Sequence, residues 1–138
     1  MSQMHTYSMT CPECGHIQNV DVWSALNISR NPELHDKLFE AAINVFRCET
    51  CDHKALINVP LLYQDMRRQY CIQYYPRELL DNDDFLSQFT RDGKMDLSAV
   101  PINPEAEKHY LIKPHIVFSL NEMIYYIEFR DKVFDQNE

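Results

Sequence analysis

Two cysteine pairs, Cys11-Pro12-Glu13-Cys14 and Cys48-Glu49-Thr50-Cys51, constrain this chain more than any other feature. A Cys-x-x-Cys step presents two thiolates from one turn, and two such turns supply the four sulfurs of a closed tetrahedral metal site. The expected ligands are Cys11, Cys14, Cys48 and Cys51, and the expected metal is zinc. Iron in the same all-sulfur geometry is the alternative.

The segments after the pairs repeat each other. Cys11, Cys14, His16, Val20 and Val22 fall on Cys48, Cys51, His53, Ile57 and Val59, so a turn followed by a strand occurs twice. Pro12 presets φ for the first turn, and Gly15 supplies the positive φ that brings backbone N–H groups toward sulfur. Asp52 stands at the second glycine position, a departure costing on the order of 1 kcal/mol. His16 and His53 are read as polar strand residues beside the metal, because four thiolates complete the shell.

The 138 residues suit one domain, 1–138, with a core of its own. Thirteen basic residues stand against twenty-one acidic, a formal charge of −8, which argues against a nucleic-acid partner. Arg67 and Arg68 are the best candidates for a local basic patch. No apolar run is long enough to span a bilayer, and the polar opening is not a secretory signal, so the expected location is cytoplasmic. Paired cysteines in such a chain favour metal over disulfides. The fifth, Cys71, reads as a small buried hydrophobe.

Along the chain, residues 5–10 and 17–23 read as a hairpin with the first cysteine turn at its tip. Asn31, Pro32 and Glu33 open a helix over about 31–42, with Asn31 as its cap. Residues 43–47 and 55–59 form a second hairpin, expected to pair with the first. Leu61 to Met66 reads as a short helical turn, and Gln69 to Tyr75 as a strand with Tyr70, Ile72 and Tyr74 on one side. Asp81, Asp83 and Asp84 read as the solvated start of a short helix containing Phe85, Leu86 and Phe89. Pro101 to Pro104 is a loop, and His109 to Phe118 a strand interrupted by Pro114.

The closing helix, about 120–134, has a capping box at Ser119 and Glu122, and Phe118 and Met123 suit a hydrophobic staple. Leu120, Met123, Ile124, Ile127 and Phe134 form one apolar face. Tyr126, Phe129 and Val133 form a second stripe, so this helix is expected to meet a large sheet or another copy of the chain.

The fold class that follows is α+β. It is a zinc-ribbon-like pair of β-hairpins with an inserted helix (5–60), extended by further strands and the C-terminal helix (61–138).

Cys11-Pro12-Glu13-Cys14-Gly15, Val22-Trp23, Asn31-Pro32-Glu33-Leu34, the second cysteine pair and Leu61-Leu62-Tyr63-Gln64-Asp65-Met66 together resemble the CpXC domain family of small bacterial and archaeal proteins. The resemblance runs through about 9–76 and, more loosely, 109–138. It implies two Cys-Pro-x-Cys motifs binding one metal. Here the second motif has Glu49 in place of proline. The resemblance carries no activity.

No nucleophile, base and orienting group converge in the sequence. The expected function is a non-enzymatic interaction or regulatory module with a structural zinc site and a protein partner, including a homodimer through the C-terminal helix. The alternatives are electron transfer through iron, since the Cys-x-x-Cys-Gly turn is similar to that of rubredoxins, and thiol redox chemistry with Cys71 as the resolving thiol. An unrecognised enzyme would have Tyr70, Tyr74 and the three aspartates as the first positions to mutate.

Overall fold

The computed structural model describes residues 2–91 and 114–136. The expected loop at 101–104 and the first part of the 109–118 strand lie outside the described residues. The architecture is mixed α+β. Its main sheet has five strands in the order β1-β2-β5-β6-β7, and a separate two-stranded sheet is formed by β3 and β4.

Strands β1 (Gln3–Thr10) and β2 (Ile17–Asn27) make the expected first hairpin, with Thr10 opposite Ile17 beside the first cysteine turn. Strand β2 is long enough for two tasks. Its first part pairs with β1, and Ala25, Leu26 and Asn27 pair in parallel with Leu62, Tyr63 and Gln64 of β5 (Leu61–Asp65).

That strand corrects the helical turn expected over Leu61 to Met66. Strand β5 lies between β2 and β6 (Tyr70–Tyr74), with Leu61, Tyr63, Gln64 and Asp65 all buried. A strand covered on both faces loses the alternation that identifies strands in a sequence, and burial overrides local propensity. The β5–β6 turn is built by the Asp65 carboxylate, which accepts the N–H groups of Arg67 and Arg68, each at 3.0 Å.

Helix α1 (Glu33–Phe39) is shorter than expected at both ends. Asn31 makes no side-chain cap. Its backbone carbonyl takes the Leu34 N–H, and Pro32 holds the capping position in helical conformation. At the other end Ala41 turns to φ 59°, while the Ala42 N–H reaches the Lys37 carbonyl and the Ala41 N–H that of Leu38. This is a Schellman stop with alanine where glycine is usual, so Ala41 and Ala42 lie outside the helix.

The second hairpin, β3 (Val45–Arg47) and β4 (Lys54–Leu56), exists but does not pair with the first as expected. Asn44 docks it instead. Its side chain accepts the Trp23 N–H at 2.7 Å and donates to the Trp23 carbonyl at 2.9 Å. An amide side chain thus supplies the edge pairing that a strand would have supplied.

After β6 come a 3-10 turn (Arg77–Asp81) and helix α2 (Asp83–Leu86), where Asn82 accepts the Phe85 N–H and Asp83 and Asp84 fill the first turn. Strand β7 (His115–Val117) joins β6 in parallel. Helix α3 (Leu120–Gln136) follows, with the Ser119 hydroxyl accepting the Glu122 N–H at 3.0 Å, as the capping-box spacing predicts.

One apolar cluster joins Leu34 and Leu38 of α1 and Met123 and Ile127 of α3 to Leu61, Tyr63, Tyr70, Ile72 and Tyr74 of the sheet. Fully burying each such side chain contributes about 1.5–3 kcal/mol. A second, smaller cluster gathers Cys11, Val20, Phe46 and Cys48. The cysteine-turn end of the molecule therefore has an apolar support distinct from the main core.

Candidate metal centre

The repeated segments fold as repeated structures. In the first turn the Cys11 N–H reaches the His16 carbonyl at 2.8 Å and the Gly15 N–H the Cys11 carbonyl at 2.9 Å. In the second, the Cys48 N–H reaches His53 at 2.8 Å and the Asp52 N–H reaches Cys48 at 3.1 Å. Gly15 and Asp52 share a positive φ, 77° and 60°. The glycine position expected from sequence is thus filled by aspartate without loss of the turn.

Gln18 ties the two turns together. Its side-chain amide donates to the Arg47 carbonyl at 2.8 Å and accepts the Glu49 N–H at 3.0 Å. No spacing rule marks Gln18, because its role depends on a turn thirty residues away in the chain.

The four sulfurs of Cys11, Cys14, Cys48 and Cys51 lie within 4.8 Å of one another. Across the turns, Cys11 is 3.6 Å from Cys51 and Cys14 is 3.5 Å from Cys48. A tetrahedron with metal–sulfur bonds of about 2.3 Å has edges of about 3.8 Å. The separations therefore match four donors around one ion and exceed the S–S bond length of about 2.05 Å. Cys11 and Cys48 are buried, whereas Cys14 and Cys51 face solvent.

The electrostatics separate the four thiols. Burial acts to raise Cys48, but N–H groups of Cys51 and Thr50 and the adjoining Cys14 sulfur bring it down to about 6. At Cys51 the His53 N–H favours the thiolate, yet burial and the crowding of the Cys14, Cys48 and Cys11 sulfurs push it up to about 12. Cys14 is raised against the pull of the His16 N–H, by the Cys48 sulfur and by burial. Crowded sulfurs without a cation resist full ionisation; a divalent ion removes that conflict by neutralising the charge.

The imidazoles of His16 and His53 do not join the sulfur group among the described residues. His16 lies 3.7 Å from the Glu49 carboxylate, and both histidines serve the turns through their backbone. Cys71 is 3 % exposed on β6, and burial pushes its thiol up to about 11. It belongs to the main sheet and is not part of the sulfur group.

The other candidate residues have structural surroundings. Tyr70 and Tyr74 lie in the main core, with their hydroxyls donating to Asp131 and Asn58. Asp83 and Asp84 sit at the start of α2. Arg68 is held by Asp65 at 3.3 Å, Asp131 at 3.6 Å and Asp135 at 3.5 Å, and it stacks on Phe134 beside Arg67. Three carboxylates thus surround the Arg68 guanidinium. The same cluster reaches His35 of α1, whose Nε2 is 3.6 Å from Asp131, so it links α1, the β5–β6 turn and α3.

The family model described as CpXC protein matches residues 9–136. This chain is a member of the CpXC family. Searches of curated proteins and of solved structures return no match. The CpXC match takes in both cysteine turns, strands β2 to β7 and α3, and only the last two residues of β1. Among the described residues, no helix is long and apolar enough to cross a membrane.

Proposed function

We propose that this CpXC protein is a zinc-binding, non-enzymatic interaction or regulatory module whose ligands are Cys11, Cys14, Cys48 and Cys51. The observation that carries the reading is the meeting of two equivalent turns, which brings four sulfurs within 4.8 Å. Four protein donors fill a tetrahedral shell and leave no position for a reactive water, which is the character of a structural site. Zinc would supply charge neutralisation and cross-linking there, and the chain's own N–H donors at Cys48 stabilise the thiolate it needs.

A second reading has its own support. Cys14 and Cys51 face solvent, which suits electron transfer through iron in a rubredoxin-like site. Elemental analysis and a visible spectrum of protein purified without added metal separate the two. One zinc per chain in a colourless protein is expected. Stoichiometric iron with visible absorption would replace the structural reading with the electron-transfer one. Neither metal, with reversible disulfide formation among the four cysteines, would leave thiol redox chemistry.

A further inference from the structure

The outer surface of α3 is unlike the rest of the helix. Met123 and Ile127 enter the core, and Tyr126 stacks on His115 of β7 with ring centroids 3.8 Å apart. The expected second stripe is therefore divided. Tyr126 meets the sheet, whereas Phe129 is 59 % exposed, and the neighbouring Tyr125, which the apolar pattern did not single out, is 72 % exposed. Glu122, Tyr125, Phe129 and Lys132 recur at alternating steps of three and four residues, so they share the helix face turned away from Met123 and Ile127. All four are exposed.

We infer that this face pairs with the same face of a second copy of the chain, antiparallel and about a two-fold axis at the level of Ile127. The inference deepens the interaction-module reading by naming the partner. Self-complementarity is the argument. Glu122 and Lys132 are equally distant from Ile127 on either side, and so are Tyr125 and Phe129. A two-fold axis there sets Glu122 against the second copy's lysine and Tyr125 against its phenylalanine. Both charge pairs are then attractive and both central layers aromatic, as an isologous contact requires. Parallel pairing would instead oppose glutamate to glutamate and lysine to lysine. The charges select one of the two arrangements.

The helix is 17 residues long, about 25 Å at 1.5 Å per residue, which accommodates these four layers. One helix pair buries less than the roughly 800 Å² per partner of a standard interface, so the dimer is expected to dissociate at micromolar concentrations.

Sedimentation velocity on the full chain as purified without added metal, from about 5 to about 200 µM, tests the proposal. Wild type is expected to be a reversible dimer. Glu122→Lys alone and Lys132→Glu alone each create two like-charge layers, and each should weaken dimerisation more than about tenfold. An equimolar mixture of the two variants restores both attractive pairs in a heterodimer and should recover the wild-type sedimentation. A double Tyr125→Ser, Phe129→Ser variant keeps the charges and should also be monomeric.

Wild type that stays monomeric at the highest concentration overturns the proposal, as does a dimer that survives the aromatic double substitution. Monomeric single variants that do not recover on mixing overturn the antiparallel register. Zinc content measured on the same samples keeps the two readings distinct. A zinc-loaded monomer defeats the dimer alone, and a metal-free dimer defeats the zinc site alone.

Discussion

Asn44 makes, with one side chain, the hydrogen bonds that dock the second hairpin on β2. Its amide closes both polar groups of the Trp23 backbone, its own carbonyl accepts the Ile57 N–H at 2.7 Å, and its φ is 53°. Asparagine combines tolerance of the left-handed region with a side chain that mimics a peptide group. Asn44→Ala leaves a partly buried donor and acceptor unpaired and puts alanine, which tolerates the left-handed region less well than asparagine, at the same φ. The expected loss is about 2–4 kcal/mol in urea unfolding, and a loss under 0.5 kcal/mol would show that packing of Phe46 docks the hairpin instead. The two Cys-x-x-Cys turns and Gly15 were legible because local turn chemistry favours those residue types at those spacings, and Asp52 was legible as the departure from glycine in the second turn. Asn44 and Gln18 were not, because their partners are distant in sequence.

Among the elements, the first hairpin and α3 were the most legible, since each has a local start or turn signal and a periodic apolar pattern. Strand β5 was not, because being buried on both faces removes that pattern. The packing of α3 on β7 through His115 and Tyr126 has a pH consequence. Burial lowers His115 below its ordinary value of 6.5, and the Arg130 guanidinium lowers it further, against a smaller opposing pull from Glu122. A base whose folded value lies below its unfolded one contributes stability above pH 6.5, and that contribution is lost as the pH falls through the folded value. Acidification from pH 7 toward pH 5 should therefore lower the melting temperature, and His115→Phe, which keeps a ring against Tyr126, should flatten that decline. An unchanged slope in the variant would place the acid sensitivity in another group. The sign is opposite to that of a histidine held by an acidic partner, which would strengthen the fold on protonation.

On the scale of the whole molecule, the two apolar clusters divide the fold. The larger holds the five-stranded sheet, α1 and α3 together, while the smaller gathers Val20 of β2 and Phe46 of β3 around Cys11 and Cys48. Removing metal with a strong chelator should therefore expose Cys11, Cys14, Cys48 and Cys51 to a thiol reagent while Cys71 stays unreactive. Far-UV circular dichroism and a cooperative thermal transition should persist. Collapse of the whole spectrum on chelation would show that one metal-dependent core holds everything. Sequence alone determined the sulfur set, the two equivalent turns, the first hairpin, the capped C-terminal helix and the CpXC resemblance, because each depends on contacts a few residues apart or on a short periodic pattern. Tertiary structure alone decided that β5 is a central strand, that the second hairpin forms its own sheet, and which face of α3 is left outside. Those outcomes depend on which surfaces meet after the chain has crossed back on itself, and burial against a distant partner outweighs local propensity there.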